Sequence, residues 1–360
     1  MTRRERLHHA YFHEPMDRPG VYVRTGFPGN DPTYDRLKAC LAAHSELKRG
    51  WDAWQLAEPV LSEHSSEPAR DGFDRWVTII HTPRGDLRKT DLVSTRGQPG
   101  MEEESLLKSR EDAERYLSLP PPRIDGAPEA LFAVDREVGD AGITETSLGS
   151  NPGGFAAELF GSETFAILSM TDRDILHAVC ERRLKIMLQL LDYVLARGAG
   201  PYFAMAGQEY IVPPLHGPAD FDDFNVRYDK PLIDRVHEAG GRMHVHCHAS
   251  VRKVFPGFLR AGVDVLHPFE APPMGDITAA DAKRMADGRL CLEGNIQVAD
   301  MYEKPPEHVA AQTAALIETC FGDRRNLIVC PSASPYIRGA GEACFPMFKA
   351  MVDTVLHWKG

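Results

Sequence analysis

The sequence predicts an α/β chain that closes into a single (β/α)8 TIM-type barrel. Three observations lead there. From Gly142 onward, short apolar strands alternate with helical stretches, which is the pattern of a parallel sheet. At least five such units follow one another with no GxGxxG after the first strand, favouring a closed barrel over an open dinucleotide-binding sheet. The strand ends are unusually polar, as the C-terminal mouth of a catalytic barrel requires.

The elements follow in order. Arg3–Tyr11 reads as a helix, and Pro19 precedes a short strand, Val21–Arg24. Trp76–His81 is rich in strand formers, Thr82–Asp86 is a turn, and Leu87–Ser94 is extended again. Residues 76–94 therefore predict a β-hairpin inserted outside the barrel rhythm. Ser109 caps a short helix running to Tyr116, which Pro120, Pro121 and Pro122 stop. The clearest helix is Arg173–Ala196, with Asp172 or Thr171 as N-cap and Gly198 just past its end. Its apolar residues Ile175, Val179, Ile186, Leu190 and Val194 recur at helical spacing. The strands after it are Tyr202–Ala206, Met243–His248, Val263–Pro268, Leu290–Glu293 and Leu327–Cys330. The whole chain, 1–360, reads as one barrel domain with an N-terminal extension and the hairpin insertion.

Composition narrows the function. Hydrophobic residues make up 43% and charged residues 26%, enough for a sizeable core. The net charge of -11 and the lack of a basic run argue against nucleic acid as a partner. The seven cysteines are scattered and never form CxxC, so a reducing compartment is expected rather than a disulfide framework. Met1–Arg6 is charged with no apolar stretch behind it, and no run approaches the roughly 18 apolar residues of a membrane span. A cytoplasmic enzyme without a membrane partner is the expectation.

The strand Met243–His248 permits a parity argument. Side chains alternate faces along a strand. Met243, Val245 and Cys247 share one face, suited to covering helices, and His244, His246 and His248 share the other, pointing into the barrel. Three imidazoles in a row make a poor core. Histidine titrates near neutrality and its neutral ring binds metals, and His-x-His is a common ligand spacing. Carboxylates join them. Glu209 follows the strand Tyr202–Ala206, Glu270 follows His267, and Glu293-Gly294-Asn295 closes another strand. His246, His248, Glu209 and Glu270 are the candidate catalytic groups. Arg24, Asn151, Tyr210, His244 and Asn295 are candidates for substrate binding. Arg24 could hold a carboxylate, and the Asn151–Phe155 turn offers backbone N–H groups ahead of a helix. No GxSxG elbow or Walker loop is present.

These residues carry a resemblance. The stretch from about Ala141 to Met351 resembles the uroporphyrinogen decarboxylase-like superfamily. Its marks are Gly240-Gly-Arg-Met-His-Val-His-Cys-His-Ala249, Gly262-Val-Asp-Val-Leu-His-Pro-Phe-Glu270 and Leu292-Glu-Gly-Asn-Ile296. Asp17–Arg24 and the hairpin around Thr82–Gly85 are similar as well. The resemblance implies a distorted (β/α)8 barrel. It also implies either a porphyrinogen decarboxylase or a zinc-dependent methyltransferase that works with corrinoid proteins or thiols. The decarboxylases share an Arg-Gln-Ala-Gly-Arg run, and here Arg24-Thr-Gly-Phe-Pro28 keeps only its first arginine, which argues against a tetrapyrrole substrate. The methyltransferases share His-x-Cys-Gly and a later cysteine. Here His246 keeps the histidine, and His248 and Ala249 stand for the Cys-Gly. The later position falls near Ala333, with Cys330 slightly earlier.

Two readings follow. In the first, zinc is held by His246, His248 and Glu270, with Glu209 as the other carboxylate choice. A methyl group then moves from a small methoxy or methylamine substrate to a thiol or to a corrinoid supplied by a partner protein. In the second, a metal-free decarboxylase or lyase acts on a small carboxylate held by Arg24. A homodimer is compatible with both. A third, catalytically silent small-molecule binder fits poorly with polar groups at several strand ends.

Overall fold

The computed structural model describes residues 1–52, 54–57, 61–96, 100–126 and 129–359. Eight parallel strands form one curled sheet. They are β1 (Gly20–Val21), β2 (Leu47–Trp51), β3 (Gly142–Ser150), β4 (Tyr202–Ala206), β5 (Arg242–His246), β6 (Val265–His267), β7 (Cys291–Ile296) and β8 (Leu327–Pro331). Each of β3 to β8 pairs with its sequence neighbour, β2 lies beside β3, and β1 lies beside β8. The sheet curls until β1 and β2 meet. There the Glu46 N–H donates to the Val21 carbonyl at 2.9 Å, and the Glu46 carboxylate accepts from the Val21 N–H at 2.6 Å. The result is the distorted (β/α)8 barrel that the alternation predicts.

Apolar residues of the strands are buried under the covering helices. Val245, Val265, Leu292 and Val329 sit in one continuous apolar core with residues of the covering helices, among them Ile233, Ile317 and Val352. The helix Arg3–Tyr11, with a Thr2–Glu5 capping box, belongs to the same core through Leu7 and Tyr11. The insertion is larger than the hairpin foreseen. Strands 73–82 and 85–94 pair as expected, and 62–70 and 101–104 extend them to a four-stranded antiparallel sheet. A second apolar cluster, including Leu87, Tyr116, Phe160 and Leu176, seats that sheet against the helices. The helix from Arg173 ends at Leu195, and Ser109 caps Arg110–Leu117. Among the described residues, no helix is long and apolar enough to cross a membrane.

One glycine is set by close approach. Gly142 pairs with Leu47 across β2 and β3, and a Cβ there would lie 1.8 Å from the Leu47 carbonyl oxygen. Gly142→Ala is expected to push the two strands apart and cost about 1–3 kcal/mol, as overpacking does. An unchanged melting temperature would contradict this account of the position.

Candidate active site

The parity expectation for β5 matches the structure. Met243, Val245 and Cys247 are fully buried in the apolar core, while His244 and His246 line a cavity of about 470 Å³ in the barrel lumen. Arg24, Lys48, Glu145 and Ser147 line it too. β5 ends at His246, so His248 stands just past the strand, with its side chain 37% exposed.

His246 pairs with a residue on the next strand. β5 and β6 run in register His246↔His267, the rings stack at 5.0 Å, and the two Nδ1 atoms are 2.9 Å apart. His267 Nε2 lies 3.1 Å from the Pro331 carbonyl. A carbonyl only accepts, so that nitrogen carries the proton. His246 Nδ1 faces the lone pair of His267 Nδ1 on one side and, on the other, the Arg24 guanidinium, which can only donate. Burial, reinforced by Arg24, pushes His246 down to about 2. Burial, with the neighbouring His246 and Arg24, also holds His267 well below the usual histidine range. Both rings are neutral at physiological pH. Arg24 Nη1 sits 3.0 Å from His246 Nδ1 and 3.5 Å from His267 Nδ1.

At the mouth, the His246 and His248 rings meet edge to face at 4.6 Å. His248 Nδ1 lies 3.1 Å from Glu270 Oε2, but among the described residues the ligand-type atoms of His246, His248 and Glu270 do not all come within 4.8 Å of one another. Glu209 is held differently. Its Oε2 accepts from the Gly207 N–H at 3.1 Å, and burial pushes its carboxyl up. Asn151 is fully buried. Its Oδ1 caps the helix Pro152–Phe160 through Gly154 N–H, and its Nδ2 donates to Asn225 and Asp229, each at 2.8 Å. Tyr210 packs against the second apolar cluster. Asn295 donates to the Phe269 carbonyl at 2.9 Å and lines a separate cavity of about 560 Å³ beside the mouth.

The lumen floor holds residues that sequence reasoning missed. His244 Nδ1 donates to Glu145 Oε1 at 3.0 Å, and the Tyr11 hydroxyl donates to the same carboxylate. Lys48 Nζ donates to the Tyr11 hydroxyl at 3.0 Å and to Glu293 Oε2 at 2.7 Å. Lys48, Glu145 and Tyr11 leave little mark in the sequence because each finds its partners far along the chain. The one local signal is a charge at a lumen-facing position of a strand. Among the described residues, the ligand-type atoms of His267, Glu293 and Cys330 lie within 4.8 Å of one another. These are zinc-type donors, although the Lys48 ammonium already holds Glu293 and burial keeps the Cys330 thiol protonated.

A family model described as uroporphyrinogen decarboxylase (URO-D) matches residues 95–337. A solved methyltransferase from Methanosarcina mazei superposes with a TM-score of 0.64 at 14% identity, over 98% of this chain and 99% of that one. At that identity the likeness is one of fold. A D-psicose 3-epimerase, solved in the presence of D-fructose, matches at a TM-score of 0.34 and 9% identity, over 64% of this chain and 92% of that one. No curated protein matches the chain.

Proposed function

The chain belongs to the uroporphyrinogen decarboxylase family, and from that premise we propose that it is a zinc-dependent methyltransferase or demethylase. It takes a methyl group from a small methoxy or methylamine substrate and passes it to a thiol or to a corrinoid presented by a partner protein. The observation that carries the reading is that the His246 and His248 rings meet edge to face at the mouth, with Glu270 in hydrogen-bond contact with His248. Two imidazoles and a carboxylate fit the donor set of a catalytic zinc, which keeps three protein ligands and one open position. His246 suits the task, being neutral. The His267–Pro331 chain behind it holds the ring, as partners behind metal ligands commonly do. Zinc there would lower the pKa of a bound thiol or polarise the substrate's methyl-bearing atom. Glu209 remains the second carboxylate within this proposal, and Tyr210, Asn151 and Asn295 act through the loops they brace. A cytoplasmic location is part of the proposal, in keeping with seven free cysteines among the described residues.

The test is elemental analysis of protein purified without chelator or polyhistidine tag. Wild type is expected to carry zinc, and His246→Ala, His248→Ala and Glu270→Gln are expected to lose it. Equal metal in wild type and variants would end this reading and move a second one ahead. In that reading the enzyme is a metal-free carboxy-lyase whose substrate carboxylate binds Arg24. Its support is that Arg24 borders the lumen and, among the described residues, meets two neutral imidazoles but no carboxylate.

A further inference from the structure

We propose that the seam between β1 and β2 carries a second binding site, a side pocket for a small carboxylic acid with an apolar body. The carboxylate sits on Arg49 and the body lies against Phe27 and Leu41. The site is outside the lumen, and it depends on neither the zinc nor the lyase reading.

Among the described residues the barrel wall is laddered everywhere but at this seam. β1 and β2 are the two ends of the curled sheet and do not pair with each other. A single backbone hydrogen bond joins them there, from the Glu46 N–H to the Val21 carbonyl. Past it, the edge of β2 that faces β1 keeps N–H and C=O groups that no ladder claims.

Outside the seam lies a cavity of about 340 Å³, the size of a small-molecule site. The helix Asp35–His44 contributes Lys38 and Leu41, β2 contributes Leu47 and Arg49, and the segment after β1 contributes Phe27. Leu47 and Arg49 are two apart on the strand, so they share the face opposite to Lys48. Thr25 and Lys48 border both this cavity and the lumen. The pocket therefore backs onto the chamber at the gap in the ladder.

The charges in the pocket have one sign. Lys38, Lys48 and Arg49 line it, and no aspartate or glutamate does. Two of the three cations are engaged. Lys48 donates to Glu293, and Lys38 donates to Asp35 at 3.2 Å, with its ammonium 5.6 Å from the centre of the Phe27 ring. The Arg49 guanidinium has no partner among the described residues. A free guanidinium offers two parallel N–H groups to a carboxylate. The apolar wall beside it gains from covering a hydrocarbon body. A cationic ligand would meet three like charges, and a purely polar anion would leave Phe27 and Leu41 unused.

The experiment is calorimetric binding of 4-phenylbutyrate and 4-phenylbutanol to the full-length protein. The acid is expected to bind about fivefold more tightly than the alcohol, the upper range for an ion pair open to solvent. Arg49→Met should bring the acid down to the level of the alcohol and leave the alcohol unchanged, which also shows that the variant is folded. Ala42→Trp, at an exposed helical position that lines the pocket, should weaken both ligands without lowering the melting temperature. Arg24→Met should leave the acid bound as in wild type, which separates this site from the lumen. Absence of binding, an acid that binds no better than the alcohol, or acid binding that survives Arg49→Met and is lost in Arg24→Met would each overturn the proposal. Because neither metal nor methyl acceptor enters the measurement, failure here is separate from failure of the zinc test.

Discussion

Lys48→Met is expected to destabilise the protein by about 3–5 kcal/mol, the cost of removing one partner from a buried charge cluster. The ammonium is held by Glu293, Glu145 and the Tyr11 hydroxyl in the barrel interior. Without it two carboxylates stay buried with no cation between them. Urea unfolding measures the loss. Adding Glu293→Gln to the variant should restore much of the stability, because the second substitution removes a charge that the first left stranded. A loss below about 1 kcal/mol, the level of an exposed ion pair, would mean that water reaches the cluster. The pH dependence has a definite sign. Burial raises the Glu145 carboxyl, but Lys48 and His244 more than offset this and hold it well below the usual carboxylate range. Its stabilising contribution is full above the ordinary carboxylate pKa and is lost as pH falls.

Asp229→Asn should act in the opposite sense. Asp229 is enclosed between Asn151 and Gln208, whose amides donate to its two oxygens at 2.8 and 2.9 Å. Burial outweighs these bonds and pushes the carboxyl up from 3.8 to about 7. A carboxyl raised on folding binds more protons in the folded state, so stability falls as pH rises from about 4 to 7. The total is roughly 4 kcal/mol at 1.36 kcal/mol per pH unit. The asparagine variant should lack this slope and be the more stable protein at pH 8. Its new NH2 replaces an oxygen that accepts from Gln208 Nε2, so the Gln208 amide turns over to present Oε1, which is otherwise buried without a partner. Thermal unfolding of both proteins across this range is the measurement. Parallel curves would show that Asp229 stays ionised throughout.

Much of this was legible in the sequence, for reasons tied to period and punctuation. Tyr202–Ala206 reads correctly to the residue, because Gly198, Gly200 and Gly207 bracket an apolar run. The inward set on β5 is legible because alternation depends on nothing outside the strand. The strand's end is not, since pairing runs out where β6 stops at His267, and His248 is left at the mouth. β2 escaped notice because Lys48, Arg49 and Gly50 break its apolar pattern. Lys48 is tolerable inside because Glu145 and Glu293 meet it there, the second from 245 residues away. Asn151 reads as a ligand-binding turn, but tertiary packing commits its side chain to capping a helix and bridging to Asp229. Such long-range demands leave no local mark.

The order of the strands has a consequence for how the molecule comes into being. β1, near the start of the chain, has its ladder partner in β8, so that Gly20 lies beside Ile328. Tyr11 likewise completes the lumen floor by reaching Glu145, 134 residues on. A ribosome delivers the N-terminal pieces first and their partner strand last. The opening segment must therefore wait for its ladder partner while almost the whole chain is made. Contacts of this span pay their loop-closure entropy before any bond rewards it. Closure of the cylinder and completion of its chamber thus become a single late event in folding.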